Sequence, residues 1–132
     1  MKGIKTRKKF YPLVKLILVI HKLFSGEQII IINDAHRKNI GVPTIYACTH
    51  IGGNDIQRTL EVIHDSAYLM LSNPKILYTK AIYLGLKLNG VIPLESEDRT
   101  DKKIAYARAK ELLMSGGNLL IYPEAAWNVS PN

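Results

Sequence analysis

Apolar and polar positions fall into two regimes along the chain. Phe10–Phe24 (FYPLVKLILVIHKLF) is almost continuously apolar. Lys15 and Lys22 interrupt it seven residues apart, so they share one face of a helix. A helix of that length is roughly 22 Å long, short of the ~20 apolar residues that a spanning helix needs. Pro12 suits its first turn. The pattern predicts an amphipathic helix lying in a bilayer interface with snorkelling lysines. A core-packing helix and a weak signal peptide are the other readings. No small-residue cleavage site follows, which argues against the signal peptide.

Beyond Gly26 the pattern alternates. Glu27–Asn33 (EQIIIIN), Pro43–Thr49, Ala67–Leu71, Val91–Leu94 and Asn118–Tyr122 read as strands. Between them, Ile56, Leu60 and Ile63 fall at i, i+4 and i+7, which predicts a helix over Asp55–His64. Lys80–Lys87 reads as a short helix. Asp101–Ser115 carries a stripe of Ala105, Ala109, Leu112 and Leu113, with Thr100 as the expected cap and Gly116–Gly117 as the stop. Strands alternating with helices imply an α/β domain with a largely parallel sheet flanked by helices. The expected organisation is a leader and interfacial amphipathic helix over 1–25, followed by one domain over 26–132.

Charge sharpens this division. Seven of the 18 basic residues precede the first acid, Glu27, and the other 11 are matched by 11 acids, so the net charge of +7 belongs to the leader. Such a leader suits an anionic lipid surface or nucleic acid. With 47% apolar and 22% charged residues, the chain can bury a core. A single cysteine, Cys48, excludes an internal disulfide and a thiolate zinc site.

Three blocks carry candidate chemistry, each near the C-terminal end of an expected strand, where α/β sheets bind ligands. In His50-Ile51-Gly52-Gly53-Asn54-Asp55, a histidine able to accept a proton is followed by a carboxylate able to fix its tautomer. The glycines allow the chain to fold back and bring N–H groups to a helix N-terminus, with Asn54 as a candidate cap. The plain structural reading is a turn histidine and a helix-start aspartate. The second block is Gly90-Val91-Ile92-Pro93-Leu94, with Arg99 beyond it as a possible phosphate ligand; its plain reading is a buried strand and a solvated loop. In Tyr122-Pro123-Glu124-Ala125-Ala126-Trp127, Pro123 ends a strand, Glu124 can bond a hydroxyl, and Trp127 can line an apolar channel or meet a membrane. A turn with an aromatic plug is its plain reading. His21, His36 and His64 show no metal-type spacing, and nucleotide loops and serine-nucleophile elbows are absent from the sequence.

Taken in order, the blocks resemble those of the 1-acylglycerol-3-phosphate (lysophospholipid) acyltransferases. That family carries an H-x4-D block, a G-x-I-P-like block and an F-P-E-G-T-like block after a hydrophobic or interfacial segment. The resemblance spans roughly residues 10 to 132. It implies acyl transfer from acyl-CoA or acyl carrier protein to a lipid hydroxyl, with His50 as general base oriented by Asp55. It also implies substrate contacts by Gly52, Gly53, Gly90, Arg99, Glu124 and Trp127, and backbone N–H groups after His50 that stabilise the oxyanion. No metal or cofactor is implied beyond the acyl-donor co-substrate. Cys48, on a strand before His50, is not expected to act as nucleophile.

The resemblance further implies association with an anionic membrane surface at its cytoplasmic face. Arg99 is displaced from the second block, and Ala125-Ala126 replace Gly-Thr in the third. An acceptor other than plain lysophosphatidate is therefore expected. The family continues beyond its third block, so the chain reads as truncated there. A non-catalytic relative that binds membrane lipid is the alternative. Nucleic-acid binding is disfavoured by the neutral remainder of the chain.

Overall fold

A computed structural model describes residues 8–26, 28–30, 41–50, 52, 54–72, 80–94 and 98–124. The strands are β1 (Ile45–Ala47), β2 (Ala67–Ser72), β3 (Val91–Leu94) and β4 (Asn118–Ile121). The helices are α1 (Tyr11–Ser25), α2 (Asp55–Ile63), α3 (Lys80–Asn89) and α4 (Arg99–Met114). The four strands form one sheet in the order β1-β4-β2-β3, and every pairing is parallel. This is the α/β class expected from the alternating pattern. Gln28–Ile30, the described part of the first expected strand, form no strand, and Ile30 is 82% exposed. The rest of Glu27–Asn33 lies outside the described residues.

Alternation along the strands divides the core in two. Ala67 and Leu69 of β2 and Leu120 of β4 face the layer of α1, α2 and α3, together with Val14, Leu18, Ile56, Leu60, Ile63 and Leu86. Tyr68 of β2, Ile92 of β3 and Leu119 of β4 face α4, where Ala105, Ala109 and Leu112 meet them. The sheet is thus covered on both faces, as parallel sheets require. Leu69, Ile92, Leu112 and Leu120 are fully buried, and truncating any one to alanine costs about 2–5 kcal/mol.

Helix ends follow local chemistry. Asp98, rather than Thr100, caps α4: its carboxylate accepts the Thr100 N–H at 2.7 Å. A carboxylate at a helix N-terminus satisfies an orphan donor and meets the positive end of the helix dipole. At the other end, Gly117 N–H reaches Leu112 O and Gly116 N–H reaches Leu113 O, both at 3.0 Å, with Gly116 at φ 82°. That left-handed glycine closes the helix.

α1 buries only Val14 and Leu18, which pack into the core beside α2 and α3. Leu13, Leu16, Ile17, Val19, Ile20, Leu23 and Phe24 remain exposed, with Phe24 at 88%. The segment is therefore both a core-packing helix and an apolar surface. Among the described residues no helix is long and apolar enough to cross a membrane.

Candidate active site

The site begins where β1 ends. Cys48 N–H still bonds Ile121 O at 3.1 Å, extending the β1–β4 pairing past the strand. His50 then stands at the C-terminal edge of the sheet. The chain turns through Gly52, whose carbonyl accepts Asp55 N–H at 3.3 Å, and α2 starts at Asp55. Asn54 occupies the cap position without a side-chain cap bond.

The Asp55 carboxylate turns back over this loop. Its Oδ2 lies 2.9 Å from His50 Nδ1 and accepts the Gly52 N–H at 2.7 Å. The two side chains are 18% and 11% exposed. The N-terminal dipole of α2 favours the ionised carboxylate. The contact suits the tautomer in which Nδ1–H donates to the carboxylate and the lone pair resides on Nε2. Desolvation around the pair strengthens the bond.

Two residues after β4 complete the surroundings. The Glu124 carboxylate accepts the backbone N–H of His50 at 3.0 Å. The Tyr122 ring lies against the His50 imidazole, with centroids 4.7 Å apart and planes tilted by 32°. Its hydroxyl donates to Thr59 Oγ1 on α2 at 3.2 Å. Cys48 is half-buried nearby, and burial pushes its thiol up, outweighing a contact with Thr59 that lowers it. A thiol kept protonated is a poor nucleophile.

The other expected site residues are placed differently. Gly52 N–H is engaged by Asp55, so it serves the carboxylate rather than a substrate oxyanion. Gly90 is buried at the N-terminal side of β3, away from the edge that carries His50. It has φ 110°, and a Cβ there would meet the Tyr68 ring at 2.6 Å, so the glycine answers a packing demand. Arg99 is exposed in the first turn of α4, after β3, which the sheet order sets at the opposite side from β1. The structure thus brings together His50, Gly52, Asp55 and Glu124, whereas Gly90 lies at the other edge and Arg99 follows the C-terminal end of β3, at the far side of the same edge. Gly53 and Trp127 lie outside the described residues. Tyr122 and Thr59 were not singled out by their sequence context as site residues. The available signal was the i, i+4 spacing of Asp55 and Thr59, which places them on one face of α2. Among the described residues no group of three or more His, Cys, Asp or Glu side chains is placed to hold a metal ion.

A family model described as Acyltransferase matches residues 28–130, most of the chain. The chain belongs to the acyltransferase family. Neither the curated proteins nor the solved structures contain a match to it. The acyltransferase match takes in β1 through β4, and with them His50, Asp55, Tyr122 and Glu124. α1 lies before the matched residues.

Proposed function

We propose that this acyltransferase moves an acyl group from acyl-CoA or acyl carrier protein to the hydroxyl of a lysophospholipid-type acceptor. The observation that carries the reading is the 2.9 Å contact between His50 Nδ1 and Asp55 Oδ2 at the sheet's C-terminal edge. His50 Nε2 takes the acceptor's hydroxyl proton as its oxygen attacks the thioester carbonyl. The tetrahedral intermediate collapses, the C–S bond breaks, and the imidazolium returns the proton to the departing thiolate. Asp55 holds the tautomer and stabilises the imidazolium. This route uses no metal, cofactor or covalent enzyme intermediate. The displacement of Arg99 from the second block and the Ala125-Ala126 pair in the third support an acceptor other than plain lysophosphatidate; competition among purified lysolipid acceptors tests this preference.

Replacing His50 with alanine is expected to lower turnover about a thousandfold while circular dichroism stays unchanged, in the range for loss of a general base. Wild-type turnover in that variant would leave a non-catalytic lipid binder or another base as the explanation.

The location of the reaction is a proposal supported by α1. The proposed membrane-facing unit over residues 1–25 contains this helix, and the proposed catalytic unit follows from 26. Its exposed apolar face, the exposed Lys15 and Lys22, and the basic leader suit the anionic cytoplasmic face of a bilayer. In flotation assays, the Lys15→Glu/Lys22→Glu variant is expected to bind phosphatidylserine vesicles about thirtyfold or more weakly, at about 1 kcal/mol for each lysine removed. Equal flotation of both proteins would dismiss the electrostatic part of this docking.

A further inference from the structure

We infer that Tyr122 is a positioning residue for His50, and that α2 sets its place through Thr59. The inference rests on the reading of His50 as the general base.

Asp55 grips the imidazole at one ring nitrogen, and Glu124 holds the backbone from which the ring projects. Neither contact stops the ring from swinging about the Nδ1···Oδ2 line. A surface against the ring's face does, and Tyr122 supplies it at a centroid separation of 4.7 Å. Tyr122 is itself pinned at two points. Its backbone leaves β4, and its hydroxyl bonds Thr59 Oγ1 at 3.2 Å.

Thr59 is one helical turn beyond Asp55, on the same face of α2. One helix therefore fixes both the edge of the imidazole, through Asp55, and its face, through Thr59 and Tyr122. The ring face also carries a negative quadrupole that favours the imidazolium formed when His50 takes a proton. Phenylalanine at position 122 would keep the ring and lose the tether, so the phenol oxygen has a role separable from the aromatic surface.

The test combines imidazole nitrogen spectra of the 15N-labelled full chain with steady-state kinetics. The variants are Tyr122→Phe, Tyr122→Leu, Thr59→Val and the Tyr122→Phe/Thr59→Val double. In the wild type, His50 is expected as the Nδ1–H tautomer. Tyr122→Phe and Thr59→Val should each admit the Nε2–H form and lower kcat about two- to tenfold, the change that corresponds to one hydrogen bond between neutral groups, with KM unchanged. The double variant should be no worse than Thr59→Val alone, because the bond that Tyr122→Phe removes is then already lost. Tyr122→Leu should shift the tautomer furthest.

An unchanged tautomer in Tyr122→Leu, or additive losses in the double variant, would overturn the inference. If Tyr122→Leu does not fold, the two hydroxyl variants decide. The spectra report on positioning even without turnover. Undiminished activity of His50→Ala would instead remove the general-base reading and leave the spectroscopic result standing.

Discussion

The two edges of the parallel sheet solve the same problem in opposite ways. At the N-terminal edge, the buried Asn118 accepts Thr44 N–H at 3.0 Å and donates to Asp65 Oδ2 at 3.0 Å and Ser66 O at 3.1 Å. Asn89 donates to Ala67 O beside it. The amide of Asn118 thus ties together the starts of β1, β2 and β4. At the C-terminal edge, the hydrogen bonds run instead to one histidine: Asp55 holds its ring and Glu124 accepts its backbone N–H. Polar groups that close on one another lock strands together; polar groups that gather on a single histidine fix its ring and backbone in place. The exposures agree, since Asn118 is 2% exposed and the His50 side chain 18%.

Substitutions at three positions test that contrast. The largest effect is expected from Asp55→Asn, which removes the charge that fixes the imidazole. Turnover should fall about a hundredfold or more with little change in unfolding free energy, measured by kinetics beside urea titration. A stability loss without a kinetic one would place Asp55 among the locking groups. Next is Asn118→Ala. It leaves buried partners unsatisfied and should cost about 2–4 kcal/mol in urea unfolding, while activity per folded molecule is retained. A large kinetic defect would couple the two edges. The smallest effect belongs to Glu124→Ala, because Glu124 is exposed: kcat should fall about two- to fivefold. Glu124→Gln should restore most of it, since an amide oxygen also accepts the His50 N–H. A failure of that rescue would assign the charge of Glu124 a separate role.

Much of the architecture was legible because it is local. The i, i+4, i+7 spacing of Ile56, Leu60 and Ile63 gave α2, and all three are buried. Val91–Leu94 was bounded by Gly90 and the polar run after it, and β3 has those limits. The five-residue separation of His50 and Asp55, with glycines between, allowed the contact that the structure contains. Contacts set by strand order were not legible. β4 beside β1 brings Glu124 to His50 across 74 positions, and Tyr122 arrives with it. No periodicity encodes that neighbour relation. Gly90 illustrates the converse: its place in a suggestive block pointed to a ligand, whereas a tyrosine ring occupies the space its missing side chain leaves.

Strand order also governs assembly. β4 comes last along the chain among the described strands, yet it is inserted between β1 and β2. During synthesis, β1, which leads into His50, is therefore made well before its neighbour β4. The sheet closes only when residues 118–121 arrive, through pairings of high contact order that form slowly. The surroundings that Tyr122 and Glu124 give to His50 are consequently withheld from the nascent polypeptide until its central strand is in place.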